Sequence, residues 1–331
     1  MIGSIAKYAT AGMLVVTACL LPHRADSQSI ASRVAQVRDG KVRMSFASRD
    51  DICGWGDGIS TNYSGRTNSR SKWNNRSDDV DYDDSCMAGP ARVVLTLSGG
   101  KVTKVRSYVG GRWRTPADAT DIGTVSARDA VDYLLGVANR DDGKGAGEAI
   151  FATTLADSVD IAPRLASIAE NESRSDEVRG QAIFWLGQTR TDKSGEYLRS
   201  LYRKIRDEDV KDKVIFSISQ QNDEDSQNWL VDLASNANES VEMRKKALFW
   251  AGQTGTPFAR LAAMYNKTRE TEMKDQMIFV FSQRHEAAAL EKLMDIAKND
   301  PDREARRKAL FWLGQSHDSR VSAFLADIIN R

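Results

Sequence analysis

The residues best suited to chemistry lie in short polar runs of the N-terminal third. In DDVDYDD (78–84), Asp79, Asp81 and Asp83 alternate as the oxygen ligands of a calcium loop do. The register then fails: Asp84 stands where such a loop turns on glycine, and Pro90 where it needs a bidentate glutamate. The run reads as a solvated acidic loop. GWGDG (54–58) is glycine-rich but does not open a helix after a strand, so no phosphate cradle is expected there. Trp73 among Arg66, Arg70, Lys72 and Arg76 has the makings of a base-stacking site, but nearby aspartates cancel the charge.

Composition narrows the classes further. Lys and Arg number 47 and Asp and Glu 46, a formal balance of +1, whereas a dedicated nucleic-acid binder is strongly basic. No nucleic-acid partner is expected. Hydrophobic residues make up 41% and charged residues 28%, which excludes both a disordered chain and a multi-span membrane protein. The length of 331 residues allows about two domains at ~150 residues each. Three histidines and three cysteines are too few for a multi-histidine metal centre or a disulfide-dense fold, and no metal site or cofactor is expected.

Residues 1–27 read as an export signal: Lys7, an apolar stretch from Ala9 to Leu21, then Ala25-Asp26-Ser27 with small residues where a signal peptidase reads. Val16-Thr17-Ala18-Cys19 offers a competing lipobox, and the chain would touch a membrane only if lipidated at Cys19. Leu20-Leu21-Pro22 follows it where a polar tether is usual, which favours soluble export to a periplasm or the cell exterior. With Cys19 removed or capped, Cys53 and Cys86 remain as an even pair in an oxidising compartment, and a disulfide is expected.

Residues 28–125 form the first expected domain, β-rich. KVRMSFAS (41–48), ARVVLTL (91–97) and KVTKVRSYV (101–109) alternate as strands do, and Ser98-Gly99-Gly100 joins the last two as a hairpin turn. The stretch 49–89 between them is rich in Gly, Asn, Ser and Asp, and a bridge between Cys53 and Cys86 closes most of it.

Residues 126–331 are a repeat array. Five blocks align without a gap: VRGQAIFWLGQ (178–188), VKDKVIFSISQ (210–220), MRKKALFWAGQ (243–253), MKDQMIFVFSQ (273–283) and ARRKALFWLGQ (305–315). Their starts lie 32, 33, 30 and 32 residues apart, and Ala149-Ile150-Phe151 is a weaker sixth copy. Counted from the first block, odd copies carry Phe-Trp and even copies Phe-Ser or Phe-Val, a super-period of two. Each block has helical periodicity, and second amphipathic stretches such as 163–171 and 256–266 lie between them. The expected fold class is mainly α: about six helix hairpins stacked into an α-solenoid, behind a small disulfide-linked β domain.

The recurring Val/Met-Arg/Lys-x-x-Ala-x-x-x-Leu-Gly, read at Val178, Arg179, Ala182, Leu186 and Gly187, resembles the HEAT-repeat family, in its short-period variety related to phycobilin lyases. The resemblance covers about 126–331. It implies a right-handed solenoid and, by itself, no activity. HEAT-like iron hydroxylases use several His-Glu pairs. This chain has only His285-Glu286, and His317 is followed by Asp318. The chain is expected not to be an enzyme.

The best functional lead is a ladder on the helical wheel. Opposite the core positions Val178, Ala182 and Leu186 lie Glu177, Gln181, Phe184 and Gln188. The same side recurs through Phe216, Phe249, Phe279 and Phe311, and through Gln220, Gln253, Gln283 and Gln315. In solenoids of this kind the second helix lines the concave face, so these residues are the expected binding surface for a protein or peptide partner. The competing reading packs each Phe between neighbouring helices. Trp185, Trp250 and Trp312 are expected in the core. The alternative function is an accessory subunit of an envelope enzyme or complex, with specificity carried by the N-terminal β domain. A third possibility, an enzyme centred on the Asp-rich loop, would be excluded by activity surviving deletion of 49–89.

Overall fold

The computed structural model describes residues 29–56, 58–60, 80–81, 86–113, 119–189, 193–221 and 223–329. The expected signal segment with Cys19, the Trp73 cluster, and Asp79 and Asp83 of the acidic run lie outside the described residues.

After a short helix α1 (Ile30–Val34), eight strands follow among the described residues: β1 (Gly40–Phe46), β2 (Cys53–Gly54), β3 (Ile59–Ser60), β4 (Val80–Asp81), β5 (Ala91–Ser98), β6 (Lys101–Tyr108), β7 (Arg112–Trp113) and β8 (Ala119–Thr124). The four long strands make one sheet in the order β6-β5-β1-β8, antiparallel except for the parallel β1–β8 pair. Gly99 and Gly100 carry φ of 57° and 78°, the left-handed values that a two-residue hairpin turn demands. Alternation buries Val42, Met44 and Phe46 of β1 on one face.

Cys53 and Cys86 are bonded, with Cα atoms 5.3 Å apart. Beside them backbones run in close contact: Gly54 exchanges amide-to-carbonyl hydrogen bonds with Met87, and Gly56 with Val109. A Cβ on Gly54 would overlap the Val109 carbonyl, so the glycine in GWGDG serves close packing of chains.

Thirteen helices then follow among the described residues: α2 (Ala127–Ala138), α3 (Lys144–Thr153), α4 (Ala162–Glu170), α5 (Asp176–Gln188), α6 (Ser194–Lys204), α7 (Glu208–Ser219), α8 (Glu224–Ser235), α9 (Val241–Gln253), α10 (Phe258–Lys267), α11 (Thr271–Ser282), α12 (Ala287–Asn299), α13 (Arg303–Leu313) and α14 (Ser319–Ile329). Polar side chains start many of them. Ser126, Ser175, Asp207, Asp223 and Ser240 each accept an amide hydrogen from the first turn. The five sequence blocks fall in α5, α7, α9, α11 and α13, and the weak copy in α3. These six helices pack in series, each on the next, while α4, α8 and α12 pack on the block helices that follow them. The result is a mainly helical, repeat-like stack.

The stack begins on the sheet. Gly145 of α3 lies so close to β6 that a Cβ would sit 2.9 Å from the Val102 carbonyl, and Glu148 Oε2 accepts the Val105 amide at 2.7 Å. One apolar core runs from Val42 in β1 to Val321 in α14. No described helix is long and apolar enough to cross a membrane.

The second residue of each block is a cation that locks its repeat. In odd copies Arg179 and Arg244 are buried and donate from Nε to the Ala169 and Ala234 carbonyls at 3.0 and 3.2 Å. In even copies lysine is held by a tyrosine-bound carboxylate. Lys274 Nζ reaches Asp300 at 2.9 Å while Tyr265 donates to the same carboxylate at 2.7 Å. Lys211, Glu239 and Tyr202 repeat this at 3.4 and 3.0 Å. Burial pushes the Asp300 carboxyl up, but its hydrogen bonds from Tyr265, Lys274 and the Asp302 amide win, and it titrates below the usual carboxylate range.

Candidate functional site: an aromatic ridge with an amide edge

Helical spacing places one Phe of each block on the same side of consecutive helices, and the helix stack turns that column into a ridge. Phe184, Phe216, Phe249 and Phe279 are half-buried, whereas Phe311, on the last block helix, is 57% exposed. Neither expected extreme describes them, for each ring rests on a neighbour and keeps an open side. Nine rings follow one another without a break: Phe151, Trp185, Phe184, Phe216, Trp250, Phe249, Phe279, Trp312 and Phe311, with successive centroids 5.0–6.5 Å apart. Offset and edge-on contacts at such distances are individually favourable, so the ridge is a semi-rigid surface rather than a row of loose side chains.

The Trp column differs from expectation. Trp185, Trp250 and Trp312 are half-buried, with one part against the core and the other filling gaps in the ridge. The cause lies in the super-period. Odd helices approach the next even helix closely at a glycine: a Cβ on Gly187 would stand 2.9 Å from Ser217 Cβ, and one on Gly252 would overlap Val280. There the Phe rings stack nearly parallel, Phe184 on Phe216 at 6.5 Å and Phe249 on Phe279 at 6.4 Å. At the alternate interfaces a Trp reaches back to the preceding Phe, Trp250 to Phe216 at 5.1 Å and Trp312 to Phe279 at 5.3 Å. Salt bridges cross the same interfaces, Lys246–Asp212 at 2.5 Å and Lys308–Asp275 at 3.5 Å.

Gln188, Gln220, Gln253, Gln283 and Gln315 are all exposed and line one side of the ridge at the helix C-terminal ends. Gln220 and Gln283 each donate to the preceding serine hydroxyl, at 3.1 and 3.2 Å. Glu177, Asp209, Glu242, Glu272 and Glu304, at the opposite ends of the helices, are exposed as well. Aromatic surface flanked by exposed amides and carboxylates can bury apolar groups while hydrogen-bonding a polar backbone.

Other candidates are scattered. His285 is exposed and its neighbour Glu286 is bound by Arg284 at 2.9 Å, while Asp318 beside His317 is held by Arg320 at 2.8 Å. Among the described residues no three His, Cys, Asp or Glu side chains group as metal ligands. One feature escaped the sequence: a cavity of about 550 Å³ shared by Arg49, Asp51, Asp160, Trp185 and Gln188. Its lining runs from Arg49 to Thr189, so no local pattern marks it.

No protein-family model matches the chain, and no curated protein matches it. Among solved structures it is similar to a de novo designed 16-helix transmembrane nanopore, at 17% identity over 61% of this chain and 62% of that one, with a TM-score of 0.13. A second is from work on the computational design of self-assembling cyclic protein homooligomers, at 16% identity over 62% of this chain and 70% of the other, also with a TM-score of 0.13. The chain thus spans under two thirds of the first of these, and likenesses this low say nothing about its function.

Proposed function

We propose that the chain is an exported, non-catalytic HEAT-repeat scaffold that binds a protein or peptide partner along the ridge. In this reading the stack is a right-handed α-solenoid of about six hairpins, the ridge lies on its concave face, and the β domain caps one end. The observation that carries the proposal is the unbroken run of nine half-open rings edged by exposed glutamines. A packing device alone needs the buried sides of the rings. It does not need their open sides in register over five helices, an apolar exposure that monomers seldom leave idle. The test is Phe249→Ala with Phe279→Ala. Half-buried rings lie between the ~3–5 kcal/mol of a buried Phe→Ala and the ~0.5 of an exposed substitution, so each should cost about 1–2 kcal/mol in urea denaturation. Capture of partners from an envelope extract should be lost while the fold persists. Undiminished capture by the folded double variant would contradict the proposal.

A further inference from the structure

The cavity opens where the β region meets the first helices, at the end of the ridge. Its frame is fixed by the backbone. The Arg49 amide donates to the Leu155 carbonyl at 3.1 Å, the Asp157 amide donates to the Ala47 carbonyl at 3.0 Å, and Ser48 pairs with Ala156. Ser158 on its wall has φ of 56°, the one left-handed non-glycine among the described residues. Such conformations persist where surroundings over-determine them, often at binding sites.

The lining carries several acceptors and one buried donor without a partner among the described residues, Trp185 Nε1. Thr153 and Thr154 commit their hydroxyl protons to the Ile150 and Phe151 carbonyls, each at 2.7 Å, leaving only lone pairs. Helices α3 and α5 both end at the cavity, each contributing the negative end of a helix, roughly half an elementary charge. Helix α4 begins there, but Asp160 accepts its Ala162 amide at 3.1 Å and brings a full negative charge against that positive end. Arg49 is matched by Asp51 through two hydrogen bonds of 3.0 and 3.1 Å. The balance is negative by roughly one to one and a half charges. Trp185 adds an aromatic wall, which favours cations over anions.

We propose that this cavity binds an alkylammonium group, either the lysine side chain of a partner polypeptide or a free small amine. The carbon stem lies against Trp185 and the ammonium donates to Asp160 and the threonine oxygens. The volume suits such a ligand. The site shares Trp185 and Gln188 with the near end of the ridge, but its charged groups and the central rings Phe249 and Phe279 are separate, so the two readings can fail independently.

The test is calorimetric titration of the full-length protein with three probes: butane-1,4-diamine, the blocked tripeptide acetyl-Gly-Lys-Gly-amide, and hexanoate. One of the two amines should bind with one-to-one stoichiometry and hexanoate should not. Tighter binding of the tripeptide assigns the site to a partner's lysine, and tighter binding of the diamine to a free amine. Asp160→Asn keeps an acceptor for the Ala162 amide and should weaken amine binding at least tenfold. Phe249→Ala/Phe279→Ala should bind the amine as the wild type does, so failure of the ridge reading leaves this result standing. The proposal is overturned if neither amine binds, if hexanoate binds as tightly, or if Asp160→Asn changes nothing.

Discussion

Residue identities at the second block position carry more than the helical wheel suggests. The alternation Arg179, Lys211, Arg244, Lys274, Arg306 is plain in the sequence, but its purpose is not, because the partners arrive from other helices and loops. Arginine suits a carbonyl that needs a directed Nε donor, whereas lysine, a compact charge, suits a carboxylate already bound by tyrosine. Lys274→Met should therefore cost about 3–5 kcal/mol at pH 7, since it strands Asp300 in a site where its side chain is only 6% exposed. The pH dependence has a definite sign. In the wild type Asp300 titrates below its unfolded value, so its stabilisation is present above roughly pH 4 and is lost as pH falls through the folded value. Without Lys274 the stranded carboxylate is penalised only when charged, so the variant's deficit should shrink from pH 7 to pH 4. Urea denaturation at the two pH values measures this; a deficit independent of pH would refute it.

Helices and strands were the most legible scale. The five blocks lie within or at the ends of five helices, the hairpin turns on Gly99-Gly100, and the Cys53–Cys86 bond is present. Strand β8 and the short strands were not legible: β8 pairs parallel to β1, Lys41 opposite Ala119 and Ser45 opposite Thr124, far apart in the chain, and two-residue strands have no period to read. The two-repeat super-period was visible, but its cause needed the packing: a glycine facing Ser217 or Val280 at one interface, Trp inserted at the next. Position in the stack makes equivalent glycines unequal: Gly252 faces the next block helix, whereas Gly314 lies at the end of the last one. Gly252→Ala forces a Cβ into Val280 and should destabilise by about 1–3 kcal/mol. Gly314→Ala meets nothing nearer than 3.4 Å, in its own helix, and should be neutral or stabilising by up to about 1 kcal/mol. Thermal melts of the two variants should move in opposite directions or leave only the first displaced.

At the scale of the whole molecule, sheet and helices share one apolar core, so the boundary near residue 125 separates kinds of structure and not two independent packings. Helix repeats nevertheless couple mainly to their neighbours. Reducing Cys53–Cys86, which closes a separation of 33 residues, should remove about 3–4 kcal/mol by chain-entropy reasoning and loosen the β region with α2 and α3. The helical circular dichroism of the later repeats should survive, and a melt with reductant should show the early transition alone displaced. The ridge itself was half legible: the Phe and Gln columns stand out at helical spacing, while the part played by Trp and the cavity depends on distances between helices. The central claim is that this ridge and its amide edge form a binding face. It is tested most directly by capture from envelope extract with Gln220→Ala, Gln253→Ala and Gln283→Ala combined. All three side chains are exposed, so stability should change by no more than about 0.5 kcal/mol each. Capture falling at least tenfold at unchanged stability is the predicted result, and wild-type capture by the triple variant would contradict it.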